Sequence, residues 1–525
     1  MTVLHMSLMQ ERPQRLSIDL AGIALELDQA TPAAHQRCNH VIERTIAHNW
    51  GKSRKTLKEQ FAIQSTDPNL YYRGVAYLFW EDFVSNGWGN FNLTDVVPTA
   101  RLADGSPLSR THTWTWITGD QHLSNFGAWK NRHGDVVFGI NDFDEAAVYD
   151  FQMDLWRVGT SIVDHALTNG LSREQAAHAV VSFTDEYIET VSSYMGNERA
   201  LLHELTRAHV GPRAHQLAAF LDSVQDQEGL HKQLRKFTAV GAHGKRHFIF
   251  DDDTKLEPVE PQLRAEIITA MGKRGYGATL QKIGWQTHEW SDEYFEVIDV
   301  AWRVNSGDGS YGVSRFYVLL AGSDTLVNQI AIDGVILDVK YTPQPAIRAV
   351  LSEEDFPWYD TLFVSEGARV VEAQRRLTSY TDPFAGYAVI RGAVHVVRQR
   401  SPWKASLDVG GVPADEFEAT VREVAAVTAT SHVRGSVGKA PVQFKEVLSS
   451  ALDTSTARAQ WGAAVARTAV AYREQVLMDF ACFRRWVQEG APLEAFAGPQ
   501  PPQPHVLERA QRQSPQQSPE GIVKE

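Results

Sequence analysis

The tightest constraint on this chain is the stretch 113–157, TWTWITGDQHLSNFGAWKNRHGDVVFGINDFDEAAVYDFQMDLWR, in which two apolar runs each end in carboxylates. Residues 113–118 alternate with the period of a strand and deliver Gly119 and Asp120 at their end, with Asn125 five positions beyond Asp120. A turn signal at 133–135 leads into a second apolar run, 136–140, which ends in Asn141, Asp142, Phe143, Asp144 and Glu145. The rest of the chain is expected to serve as scaffold or partner to these two strand ends.

A loose phosphoryl-transfer transition state asks for positioning and charge neutralisation more than for covalent help from the protein. Magnesium suits that task, because it is commonly held by one or two carboxylates together with phosphate oxygens and water. An Asp and an Asn on one loop, with an Asp on the next, supply such ligands. The step from Asp120 to Asn125 is the base-to-Asn spacing of the kinase catalytic loop, H-R-D-x-x-x-x-N. The stretch resembles the aminoglycoside-phosphotransferase variant of that loop, with Gly119-Asp120 in place of Arg-Asp and Asp142-Phe143 in place of the magnesium-binding Asp-Phe-Gly. Asp144 stands where a kinase has Gly. The plainer alternative makes Asp120, Asn125 and Asp142 turn-forming and capping residues at strand ends.

With 525 residues, 43% of them hydrophobic and 10% aromatic, the chain can bury a large core, and its length suggests roughly two to four domains. A net charge of −13 and the dispersal of its 51 Lys and Arg argue against nucleic acid as a partner. Cys38 and Cys482 form neither a close-spaced metal pair nor a disulfide framework, which points to a reduced compartment, the cytoplasm by default. The opening MTVLHMSLMQERPQRL lacks the basic-then-apolar order of a signal peptide. No apolar run approaches the roughly 18 residues of a membrane span, so no membrane partner is expected.

Residues 1–40 read as a loosely ordered lead-in, with helical patterning from Ala33 to His48. The aromatic run 71–83, YYRGVAYLFWEDF, reads as one buried helix beneath the catalytic stretch, in which Arg73 needs a carboxylate or phosphate partner. Helical spacing returns over 154–167, and Ser172 with Gln175 makes a capping box for a helix to about residue 195. Asp154 is expected as an N-cap that steadies the catalytic loop. Further helical patterns occupy 199–237 and 262–271, while Asp251, Asp252 and Asp253 read as a solvated loop before a metal site.

From Tyr294 the texture turns to strands. Gly307, Gly309 and Gly312 form G-x-G-x-x-G between two strand-like runs, the order of a kinase phosphate-covering loop, although glycines at this spacing also make ordinary hairpin turns. Lys340 closes the apolar run 335–339, where a kinase places the strand lysine that contacts the α- and β-phosphates. On the helix expected over 365–377, Glu372 is the candidate partner of that lysine and Glu366 its rival. Strands at 387–390 and 393–398 complete the parts of a small kinase lobe, but these parts follow the catalytic loop instead of preceding it. The expected fold is therefore α+β, a protein-kinase-like two-lobed fold in circularly permuted order. Its boundaries are a larger helical lobe at 41–290, a small strand-rich nucleotide-binding lobe at 291–410, helices at 411–496 that complete the larger lobe, and a Pro- and Gln-rich disordered tail at 497–525. His432, in ATSHVRG, reads as a buried, hydrogen-bonded core histidine.

The combination of YYRG, GDQHLSNFG, NDFDEA, the Gly-rich turn with LDVK, RVVEAQRR and SHVRG resembles the bacterial family catalogued as domain of unknown function 2252. The resemblance runs from about residue 40 to 490 and implies a relation to the protein-kinase-like superfamily, with no established substrate. The expected function is an ATP- and magnesium-dependent phosphotransferase acting on a hydroxyl of an unidentified small molecule or protein. Asp120 would be the catalytic base, Asn125 and Asp142 would hold magnesium, and Asp144 would bind a second ion. Lys340 and the backbone of Gly307, Gly309 and Gly312 would hold the phosphates, with Glu372 positioning the lysine. Other classes stay open: a non-catalytic, pseudokinase-like nucleotide-binding module, a nucleotidyl transferase, or, through Gly119-Asp120-x-His122, a two-metal phosphoesterase whose later Gly-Asn-His-Glu block is missing here.

Overall fold

Buried apolar side chains fall into two hydrophobic cores. The larger gathers the N-terminal helices, the strands between residues 114 and 150 and the C-terminal helices, and the smaller fills a six-stranded antiparallel sheet with the helices beside it. The structure, a computed structural model, describes residues 32–493 apart from 132, 226–228, 242–245, 284–289, 305–311, 323–333, 380–381, 437–442 and 492. Residues 1–31, the tail at 497–525, and Gly307 and Gly309 thus lie outside the described residues.

Among the described residues the chain begins with α1 (Pro32–His48), α2 (Arg54–Gln64), α3 (Pro68–Gly74) and α4 (Ala76–Ser85), followed by a single helical turn at Leu93–Val96. The run expected as one helix over 71–83 breaks at Val75, whose φ of −123° and ψ of 38° leave the helical well. Gly74 and the β-branched Val75 are weak helix formers side by side, which is the local reason for the break.

Strand β1 (Trp114–Ile117) is followed by the hairpin of β2 (Phe126–Lys130) and β3 (Val136–Ile140), and then by β4 (Ala147–Asp150). β2 and β3 pair antiparallel with Phe126 opposite Ile140, and β4 returns antiparallel along β1 with Ala147 opposite Ile117. These registers bring the exit of β1 beside the turn that joins β3 to β4. Helix α5 (Gln152–Thr168) follows, then α6 (Arg173–Ser193), whose capping box of Ser172 and Gln175 forms as its sequence suggests. Continuous helix does not fill 199–237. A short strand, β5 (Leu205–Thr206), adds to β3, and helices occupy His215–Gln225 and Gly229–Phe237, because the Gly211-Pro212 pair cannot sit inside a helix.

A ribbon of β6 (Thr238–Val240) and β7 (Arg246–Phe248) precedes the six-stranded sheet. That sheet contains β8 (Leu256–Pro258), β9 (Val297–Arg303), β10 (Arg315–Leu320), β11 (Val335–Tyr341), β12 (Gly386–Ile390) and β13 (Ala393–Gln399) in the order β12-β13-β11-β10-β9-β8. Helix α7 (Pro261–Ala270) and helix α8 (Tyr276–Ile283) contribute to its core, and α9 (Glu366–Leu377) begins at its N-cap Ser365. After β14 (Ala405–Ser406), which pairs with β2, the chain makes α10 (Ala414–Gly435), α11 (Phe444–Ala451) and α12 (Ser455–Gln488). The architecture is mixed α/β with antiparallel sheets, in agreement with the α+β expectation.

Cys38 of α1 and Cys482 of α12 are joined by a disulfide across 444 residues of sequence. This corrects the expectation of two unconnected thiols, and the argument for a reduced compartment loses its premise. Beside it, Arg37 donates to Asp82 of α4 and to Asp479 of α12, each at 2.6 Å. No helix among the described residues is long and apolar enough to cross a membrane.

Candidate functional site

Gly119 turns the chain out of β1. Its φ of 74° is the left-handed conformation that costs glycine least, and a Cβ there would run into the Glu145 carbonyl. Asp154, inside the first turn of α5, accepts from the backbone N–H groups of Thr118 and Gly119 at 2.7 and 2.9 Å and from the Thr118 hydroxyl at 2.9 Å. His432 of α10 lies 3.2 Å from the same carboxylate through Nε2 and 2.8 Å from the Tyr187 hydroxyl through Nδ1. Both residues are fully buried, so His432 is the hydrogen-bonded core histidine its context suggested. Asp154 does steady the loop, but across space and not as an N-cap; the cap position is Phe151. Trp80 of α4 completes the support by donating to the Gly119 carbonyl at 2.8 Å.

The next residue, Asp120, presents Oδ1 to Nε and Nη2 of Arg157 on α5, at 2.8 and 2.6 Å. Its backbone carbonyl accepts from Asn125 Nδ2 at 2.8 Å. Burial pushes the Asp120 carboxyl up to about 6, further than Arg157 pulls it down. Burial also holds His122 well below the usual imidazole range, with Nε2 3.9 Å from Asp120 Oδ2.

Opposite stands the turn after β3. Asp142 Oδ1 accepts from the Asp144 N–H at 3.2 Å, and the Asp144 carboxylate pairs with Lys340 of β11. Burial works to raise the Asp144 carboxyl, but Lys340 and Arg398 foremost outweigh it and hold it below its ordinary value. Burial pushes Glu145 up to about 7, although its Oε2 accepts the Ala346 N–H at 2.6 Å. Arg369 of α9 clamps this turn from within the core, donating to the carbonyls of Asp144 and Ala146 at 2.8 and 2.6 Å while Nε reaches Glu366 at 2.6 Å.

The sheet faces the acidic turn with cations. Register sets Arg315 opposite Lys340 and Arg398 opposite Asp338. Arg315 grips Asp338 with two bonds of 2.6 Å, and Arg398 lies 3.4 Å from the same carboxylate. Lys404, past the end of β13, donates to the Asn141 carbonyl at 3.4 Å.

Of the residues singled out in the sequence, the structure brings Asp120, Asn125, Asp142, Asp144 and Lys340 into one locus. Glu372 is not part of it: its carboxylate accepts from Arg375 and Arg376 on its own helix, at 3.0 and 2.7 Å, and Asp144 stands on Lys340 in its stead. Gly312, with φ 78°, lies against Thr56 of α2. Arg157, Arg369, Arg315 and Arg398 escaped sequence reading. Their signal was a charge inside an apolar run, which demands a partner wherever it is buried.

For a metal, Asn125 Oδ1 and Asp142 Oδ2 are what the two side chains can offer once Asn125 Nδ2 has donated to the Asp120 carbonyl and Asp142 Oδ1 has accepted the Asp144 N–H. Among the described residues no three His, Cys, Asp or Glu gather as a ligand set, and the acidic triplet behaves as a loop in which Asp251 accepts the Thr254 N–H at 2.7 Å. A cavity lined by Trp129, Phe138, Leu205 and Leu377 contains none of the site carboxylates. No curated protein and no solved structure matches the chain. A family model does match, over residues 55–486, a span that holds every residue of this locus, and the chain belongs to that family, described as an uncharacterized protein conserved in bacteria, DUF2252.

Proposed function

We propose that the chain is an ATP- and magnesium-dependent phosphotransferase, kinase-like in its catalytic parts and permuted in their order, acting on a hydroxyl of a small molecule or protein. One observation carries this reading: Lys340, from the sheet, meets Asp144, 196 residues earlier, beside the loop of Asp120 and Asn125. A strand lysine, an acidic turn and a base-to-Asn loop are the parts that phosphoryl transfer requires together.

In this reading Asp120 takes the proton of the acceptor hydroxyl through Oδ2, the oxygen that Arg157 does not hold. Asn125 Oδ1 and Asp142 Oδ2 would hold magnesium, a lean set that suits an ion which keeps phosphate and water in its shell. Bound there, magnesium supplies charge neutralisation to the transferred group. Asp144 orients Lys340, the task first given to Glu372, so it is not free for a second ion. Lys340, Arg398 and Lys404 together supply a positive field for a triphosphate in a chain whose net charge is −13.

Labelled ATP decides the class. Magnesium-dependent release of ADP is the expected product. Pyrophosphate would make the chain a nucleotidyl transferase, and magnesium-dependent binding with neither product would make it a regulatory nucleotide-binding module.

A further inference from the structure

Arg157 is fully buried in α5, a costly place for a cation unless the surroundings are built for it. Nε donates to Asp120 Oδ1 at 2.8 Å and Nη2 stands 2.6 Å from the same oxygen as its ion-pair partner, while Nη2 donates to the Tyr72 carbonyl at 2.9 Å. The Tyr72 hydroxyl returns a bond to the Arg157 carbonyl at 3.0 Å. The guanidinium carbon stands 3.8 Å from the centre of the Tyr72 ring and 5.1 Å from that of Phe79. The guanidinium is thus fixed in place by aromatic faces and backbone, and the carboxylate is fixed by the guanidinium.

The way it grips is informative. An Arg–carboxylate pair built as a fork uses both oxygens, as Arg315 does with Asp338, Nε on Oδ1 and Nη2 on Oδ2. Arg157 instead puts both nitrogens on one oxygen. Oδ2 is left over, with His122 Nε2 at 3.9 Å, beyond hydrogen-bond reach, and the Asp120 side chain keeps 20% of its surface exposed. His122 is held neutral by burial and by Arg73 and Arg157, so it does not compete as a second cation for the carboxylate.

We propose that Arg157 is the positioning residue of Asp120: by clamping Oδ1 alone from a buried aromatic seat, it sets the carboxylate's rotation so that Oδ2 is the one oxygen offered to the acceptor hydroxyl. This rests on the phosphotransferase reading. It also gives the YYRG run a task, since Tyr72 supplies the seat.

Two substitutions test it. Arg157→Lys keeps the charge but loses the planar guanidinium that sets Nε and Nη2 together against one oxygen, and Arg157→Met keeps length without charge. ATP turnover, KM for ATP and the thermal midpoint are measured on both, on Asp120→Asn, and on Asp120→Asn combined with Arg157→Lys. Arg157→Lys should lower kcat by about 10- to 100-fold with KM for ATP within about threefold, and Arg157→Met should lower kcat further. The double variant should be no slower than Asp120→Asn alone, as for residues that act as a unit. Parent-like kcat in Arg157→Lys, or losses that multiply in the double variant, overturn the proposal and leave Arg157 as a structural anchor. If neither Arg157 variant folds, Tyr72→Leu decides, because it removes the ring under the guanidinium and keeps the ion pair: a several-fold lower kcat at unchanged KM supports the proposal, and unchanged kcat overturns it. A parent that turns over no ATP fails differently, removing the phosphotransferase reading and the positioning role with it.

Discussion

Asp144, two residues after Asp142, is the carboxylate that Lys340 reaches, and the proposed function makes that lysine a holder of phosphates. ATP with magnesium should therefore stabilise the parent against heat, by about 2.7 kcal/mol at a ligand concentration of 100 times Kd. Lys340→Ala should abolish that shift and Asp144→Asn should weaken it, while Glu372→Ala, whose carboxylate accepts from Arg375 and Arg376 on its own helix, should leave it intact. The reverse ranking of Asp144→Asn and Glu372→Ala in a thermal-shift titration would return the lysine's partner to α9. A second pair of variants separates proton acceptance from ion holding. Asp120→Asn should cut turnover by about 10² to 10⁴ with ATP affinity within a few fold, whereas Asp142→Asn should weaken magnesium-dependent binding and turnover together. Paired calorimetry and ADP release check this, and full turnover in Asp120→Asn would remove the base assignment. The spacing of Asp120 and Asn125 was legible because both sit on one loop, where sequence distance and spatial distance agree. The partner of Lys340 was not legible, because it depends on which turn of chain, 196 residues away, lies against β11.

At the scale of elements, the turn at Thr118 and Gly119 is held by a helix that begins after it and by one nearly three hundred residues later. Asp154 of α5 satisfies two backbone N–H groups of the turn, and His432 of α10 reaches the same carboxylate. Asp154→Ala would leave those buried donors without an acceptor, and the expected loss is about 2 to 4 kcal/mol of unfolding free energy by urea titration. A loss under about 0.5 kcal/mol would mean that the turn holds itself. Periodic apolar spacing gave α5, α6, α7 and α9 within a few residues of their ends. It failed where the period continues through a breaker. Gly74-Val75 divides what pattern alone joins, and Gly211-Pro212 does the same between β5 and the helix at His215–Gln225. The Asp154 role was half legible: an acid in a first helical turn suggests a cap, and only the approach of Asp154 to the turn after β1 shows that the donors belong to another element.

Stability belongs to the whole molecule, and one buried acid gives it a pH signature. Burial pushes Asp382, at the entrance to β12, from 3.8 up to about 6, against the N–H groups of Phe384 and Gln399 that favour its anion. An acid that binds its proton more tightly when folded contributes fully below its unfolded value, and that contribution is lost as pH rises through the folded one. Between about pH 4 and pH 6 the parent should therefore lose roughly 1 to 2 kcal/mol at this site, which Asp382→Asn, lacking the titration, should not lose. Parallel urea-stability profiles for parent and variant across that window would assign the charge cost elsewhere. The bond between Cys38 and Cys482 acts on the same scale. It makes the covalent path from one cysteine to the other a closed circle, and a circle has no first element. Whether Asp120 and Asn125 precede Lys340, or follow it, is then fixed only by where that circle is opened, here between α12 and α1. A protease that cuts once inside it should yield one species on a non-reducing gel and two only after reduction, so the oxidised molecule can lose its linear order without losing its connectedness.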